Sequence, residues 1–199
     1  TDAEWFFETI SVDEFSDSNV QLAIEVAQLS GSLDWNERLE NFYLKLLVHS
    51  NPVVNEVALN QIANHSQKPT SFDEHIVESI VENEAKESSV RLSGILALSS
   101  VDEYLALAEQ LADNNEYLLE KELGIKQKAL DVEGFIENVT DHFESENLIR
   151  NTLAIQVLSG RWQELSEPDQ ADNRLRIREE LLGLLDKQDR TITFYVTNM

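Results

Sequence analysis

The chain has 199 residues, 42% of them hydrophobic, with 38 Asp and Glu against 15 Lys and Arg and a formal net charge of −23. That apolar share is enough to bury a core, and 6 Gly with 3 Pro are too few for the many tight turns of an all-β domain. The charge repels nucleic-acid phosphates and anionic membrane surfaces, and the absence of cysteine excludes disulfides, thiolate metal sites and cysteine nucleophiles.

In chain order, residues 1–17 hold the aromatic cluster Trp5-Phe6-Phe7, read as an N-terminal cap over the apolar face of the first helices. Apolar periodicity then predicts helices at 18–30, 35–49, 52–65, 72–85, 88–99, 101–112, 114–130, 132–144, 147–159 and 168–187. In the second of these, Leu39, Phe42, Tyr43 and Leu46 fall on one stripe, while Asn36, Glu37 and Glu40 face elsewhere. Capping boxes are expected at Ser11…Glu14, Asp34…Glu37, Ser71…Glu74, Ser100…Glu103, Asp113…Glu116 and Ser166…Asp169, where each side chain can satisfy the other's free backbone N–H. Asn51-Pro52 supplies a further N-cap with proline at the first helical position, and Gly31 and Gly160 stand where C-terminal caps belong. Short connections make sequential helices antiparallel neighbours. No low-complexity linker interrupts the chain, so one domain over 1–199 is expected.

The end of the chain reads differently. In Thr191–Thr197, apolar Ile192, Phe194 and Val196 alternate with other residues at a period of two, the mark of a strand, within an extended tail at 188–199. Three arrangements fit it: a tail docked along the last helix, a strand added to another chain, or the first strand of a region further on. The only methionine is Met199 and the chain begins at Thr1. The expectation is therefore an exported chain whose leader was cleaved or a domain cut from a longer, cytoplasmic or exported protein. No apolar run approaches the roughly 20 residues of a membrane span, so a soluble chain without membrane insertion is expected.

Three segments look alike: SNVQLAIEVA from Ser18, PVVNEVALNQIA from Pro52 and SSVRLSGILALSS from Ser88, aligned on Val20, Val54 and Val90. A fourth, NLIRNTLAIQVL from Asn147, aligns Ile149-Arg150 with Val90-Arg91. Small residues, Ala58 and Ser93-Gly94, hold the middle of the pattern. Over about residues 18–160 the chain resembles the HEAT/armadillo-like α-solenoid superfamily, on the strength of Val90-Arg91 through Leu98 above all. The resemblance implies an all-α fold of stacked antiparallel helix pairs whose extended surface binds proteins or peptides.

Candidate chemistry is sparse. His49, His65, His75 and His142 form no His-Glu-x-x-His pair; His75 and Glu78 lie one turn apart, a spacing that suits a solvated pair before it suits a metal. Glu74, Glu78 and Glu82 make an i, i+4 row of like charge, by default a solvated face. Arg174, Arg176 and Arg178 stand out in a basic-poor chain and are expected to pair with its own acids. Asn64-His65-Ser66 and Asn138-Val139-Thr140 are glycosylation sequons that matter only in a glycosylating compartment. No phosphate loop, dinucleotide fingerprint or nucleophile elbow occurs, and neither catalysis nor a cofactor or metal is expected.

Residues 1–150 carry 30 acids against 9 bases, and residues 151–199 carry 8 against 6. A non-catalytic protein-interaction module or scaffold follows, its partner a protein, basic in character, met by an acidic body on which Glu74, Glu78 and Glu82 are candidate contacts. Ile192, Phe194 and Val196 are further candidates. The other reading is an acidic inhibitor that imitates nucleic acid and occupies the groove of a basic nucleic-acid-binding protein.

Overall fold

The computed structural model describes residues 19–65, 69, 72–112, 115–143, 148–160, 171–185 and 193. Its elements are all helical: α1 Val20–Ser30, α2 Glu37–Leu47, α3 Pro52–Asn64, α4 His75–Glu82, α5 Ser88–Ala97, a 3-10 turn Val101–Tyr104 running into α6 Leu105–Ala112, α7 Glu116–Ala129, α8 Val132–Phe143, α9 Leu148–Gly160 and α10 Ala171–Leu185. Each helix answers to one stretch of apolar periodicity, most of them trimmed at an end, while α9 runs one residue past its expected end and takes in Gly160, expected as its C-cap. Among the described residues no helix is long and apolar enough to cross a membrane. The N-terminal cap 1–17 lies outside the described residues. So does the tail 188–199 with Ile192, Phe194 and Val196, except for Thr193, whose backbone is helical.

Three helix starts are set by asparagine. Asn36 Oδ1 accepts from Leu39 N at 3.0 Å, Asn51 from Val53 N at 2.9 Å, and Asn115 from Tyr117 N and Leu118 N at 3.0 and 3.3 Å. All three have the extended backbone an N-cap needs. The start expected at Asp34 therefore falls two residues later, at Asn36. Ser100 makes no cap hydrogen bond, and Asp131 accepts from Gly134 N at 2.8 Å at the head of α8. The boxes that begin at Ser11, Ser71, Asp113 and Ser166 have their first residue outside the described set.

The chain divides into two compact units, Thr1–Ser99 and Ser100–Met199. In the first, α3 is central: it packs on α1, α2 and α5, and α4 packs on α5. Its buried residues are Val54, Asn55, Ala58, Leu59 and Ile62. In the second, α7 packs on α6 and α9, α8 on α9, and α10 on α8. Leu119, Leu123, Phe135, Ile136, Val139, Ile155 and Leu158 sit in this second core with Ile177 and Leu181.

The buried stripes revise the register read from the sequence. In α3, Asn55, Ala58, Leu59 and Ile62 recur at i, i+3, i+4 and i+7; in α9 the same places hold Asn151, Ala154, Ile155 and Leu158. The fourth segment therefore aligns one residue further on than Ile149-Arg150 suggested. In α1 the stripe is Ala23, Val26, Ala27 and Ser30, two residues off the alignment through Val20, which explains why Gln28 breaks the pattern there. Two asparagines mark the shared position. Asn55 Nδ2 donates to Leu46 O, Leu47 O and His49 O at the end of α2, and Asn151 Nδ2 donates to His142 O and Phe143 O at the end of α8. Arg91 does similar service, its Nε donating to Val81 O at 2.7 Å. Each satisfies carbonyls that a helix end leaves without an intrahelical partner.

Gly94 shows why the middle of the pattern is small. A Cβ placed on it would fall 2.7 Å from Val81 Cγ2, inside van der Waals contact. Gly94→Ala should gain about 1 kcal/mol from helix propensity, yet lose about 1–3 kcal/mol to overpacking against α4. A net loss is expected, read as a lower urea midpoint with an unchanged slope. Gly31 is a contrast, because its φ of −62° is right-handed and the only close contact of a Cβ would be the amide end of Gln61, with Gln28 O at an ordinary 3.5 Å. Gly31→Ala should be neutral or stabilising by up to about 1 kcal/mol once that flexible side chain moves.

Candidate functional site

The residues before α4 gather acids around an apolar floor. Phe72 is buried, and its ring meets Trp35 edge-on with centroids 5.4 Å apart. Trp35 in turn stands 5.1 Å from His65 and 5.8 Å from Tyr43. This aromatic group is closed by polar contacts: Trp35 Nε1 donates to Glu40 Oε2 at 3.3 Å, and Ser30 Oγ lies 3.1 Å from the Tyr43 hydroxyl. Burial pushes the Tyr43 phenol up and the His65 imidazole down, since both are taken out of water.

On this floor sits a cavity of about 460 Å³ lined by Pro69, Phe72, Asp73, Glu74, His75, Glu78 and Ser99. Asp73 Oδ1 accepts from His75 N at 3.1 Å and so starts α4. Glu74 lies just before the helix, and its carboxylate accepts from Ser99 N at 3.0 Å and Ser99 Oγ at 2.8 Å beyond the end of α5. Glu78, one turn in, lies 2.8 Å from Nδ1 of the fully exposed His75. The hydrogen bond from Glu78, with the charges of Glu78 and Asp73, raises the His75 pKa above its ordinary value.

The row of three carboxylates is therefore divided. Glu74 and Glu78 line the cavity with partners of their own, and Glu82 is exposed one turn further on, outside it. Phe72, Asp73, Pro69 and Ser99 carried no individual signal in the sequence. Ser99 reaches the site only because α5 packs on α4.

A raised His75 pKa has a testable sign. The stabilisation from protonated His75 with Glu78 is complete below about 6.5, the free imidazole value, and is lost as pH rises through the raised value. Proton NMR titration should place His75 above His65, and Glu78→Gln should return His75 toward its free value. An unchanged His75 titration in that variant would remove Glu78 as the cause.

Elsewhere, His49 Nδ1 accepts from Asn51 N at 3.0 Å and so serves the α2–α3 turn. Arg176 Nη1 lies 3.7 Å from Glu137 Oε1, an exposed pair. Asn138 of the second sequon donates to Gly134 O within α8 rather than standing in a loop; Ser66 of the first lies outside the described residues. In α7, Lys126 Nζ lies 2.9 Å from both Glu122 Oε1 and Glu109 Oε1, with the Lys126 and Glu122 side chains buried.

No protein-family model, curated protein or solved structure matches the chain.

Proposed function

We propose that this protein is a non-catalytic interaction module of HEAT-like build, which receives a basic segment of a protein partner at the cavity beside α4. The observation that carries this reading is the cavity lining. Asp73, Glu74 and Glu78 offer carboxylates next to the apolar Phe72 and Pro69. A lysine or arginine side chain brings an aliphatic stem and a cationic head, and a lining of this kind suits both. The succession α1, α3, α5, each packed on the next, supports the solenoid part of the proposal, as does the packing of α7 on α9 and the matching position of Asn55 in α3 and Asn151 in α9. The acid excess over residues 1–150 would steer a basic partner toward this surface.

The second reading, an inhibitor that imitates nucleic acid, rests on the same acid excess. It calls for a continuous line of carboxylates along one face, whereas Glu74 and Glu78 stand around one cavity beside Phe72 and Pro69, with Glu82 outside it. The test is capture of basic partners from the source organism with the full chain and with Glu78→Lys/Glu82→Lys, which leaves the Glu74–Ser99 contact in place. At low salt the double variant should associate several-fold more slowly, and salt should narrow the difference. Unchanged association would remove this surface. A partner retained by the wild type at high salt supports apolar recognition in the cavity, and one lost at modest salt favours the mimic.

A further inference from the structure

Helices α1 and α10 carry the same surface pattern with opposite charge. On α1, Leu22, Glu25 and Leu29 are exposed; on α10, Leu175, Arg178 and Leu182 are exposed. The four leucines are between 44% and 64% accessible, although each helix has committed another face to its own core. That face is Ala23, Val26, Ala27 and Ser30 on α1, and Ile177, Leu181 and Leu184 on α10. The spacing is identical, with the charge three residues after the first leucine and the second leucine four residues later. At about 1.5 Å per residue, the charge stands ~4.5 Å and the second leucine ~10.5 Å above the first on both helices.

We propose that copies of this chain assemble head to tail, α1 of one copy lying parallel to α10 of another. In that alignment Leu22 meets Leu175, Glu25 meets Arg178 and Leu29 meets Leu182. The antiparallel alignment puts Glu25 level with Glu179, like against like. Two α1 faces brought together would likewise set Glu25 against Glu25. The parallel pairing therefore satisfies both the apolar and the charged positions. Such a contact is heterologous: each added copy leaves one α1 face and one α10 face unused, so the assembly grows unless its rotation closes a ring. The net charge of −23 resists association, and the near-balance of residues 151–199, 8 acids against 6 bases, makes the α10 end the less repelled one.

Sedimentation velocity of the full chain across a concentration series, at about 0.15 M salt to screen the general repulsion, tests this. The wild type should grow in mass beyond a dimer. Leu22→Ser/Leu29→Ser and Leu175→Ser/Leu182→Ser should each weaken self-association by about tenfold or more. Mixed together, the two variants should form one-to-one dimers and nothing larger, because each retains the face the other lacks. Glu25→Arg should weaken association several-fold, and Glu25→Arg/Arg178→Glu should restore it, a pattern that loss of folding cannot produce. A wild type that stays monomeric, with or without residues 186–199, would overturn the proposal. So would mixed variants that fail to combine, or association untouched by Leu22→Ser/Leu29→Ser, which would set α10 against α10.

Discussion

Lys126→Met is expected to destabilise the second unit by about 3–5 kcal/mol, because it leaves Glu122 as an unpaired buried charge. The side chains of Lys126 and Glu122 are 5% and 3% accessible, and Glu122 Oε2 is buried without a hydrogen-bond donor among the described residues. Lys126 is its only ion-pair partner among them. The reverse change should cost less. In Glu122→Leu the ammonium keeps Glu109, which lies 2.9 Å away and is half in water. Replacing both, Glu122→Leu/Lys126→Met, removes the two desolvation penalties together and should be neutral or stabilising by about 1–4 kcal/mol. The pair stands in the α7 stripe with Leu119 and Leu123, where α3 has Ala58 and Ile62 at the places of Glu122 and Lys126, so apolar residues suit those positions. Urea unfolding followed by circular dichroism, with hydrogen exchange across α7, gives the three values. A single Lys126→Met cost near zero would mean that Glu122 reaches water and the ion pair is not buried in solution.

The second large effect is expected at Asn55. Its amide nitrogen holds three carbonyls, those of Leu46, Leu47 and His49, at 2.9–3.1 Å, while its oxygen accepts from Lys86 Nζ at 3.0 Å. Asn55→Leu should cost about 2–4 kcal/mol, since each buried acceptor left without a donor costs about 1–3 kcal/mol and some will find water. Asn55→Asp separates shape from chemistry. It fills the same volume but presents oxygen to three carbonyl oxygens, so it should be at least as damaging as Asn55→Leu, even with Lys86 beside it. An Asp variant as stable as the wild type would show that the amide donor is dispensable and that packing alone holds α2 to α3.

The helices were readable because each repeats an apolar stripe long enough to beat chance, as with Leu39, Phe42, Tyr43 and Leu46. Their starts were readable only to within two or three residues. Ser, Thr, Asp and Asn near a helix head are chemically interchangeable as caps, and the choice of Asn36 over Asp34 depends on which residue the core lets turn outward. The likeness among the segments was visible as composition but not as register. Val54 and Val90 lined up, yet the positions that matter are Asn55, Arg91 and Asn151, whose common role lies in the carbonyls they reach rather than in their residue type.

The site was legible in part. Glu74, Glu78 and His75 were noticed from spacing along one segment, which is the range over which a sequence reports neighbours directly. That Glu74 turns away from the helix to Ser99, a residue 25 positions on, follows from the packing of α5 against α4. Composition and periodicity by themselves determined an acidic, all-α chain without cysteine chemistry, because charge, residue inventory and local hydrophobic period need no knowledge of what touches what. Tertiary structure alone decided which carboxylates gained partners, that α7 buries Glu122 with Lys126 where α3 buries Ala58 and Ile62, and that α10 packs on α8. Each of those depends on groups brought together across many residues of chain, where burial sets the energy of a charge and the sequence carries no distance.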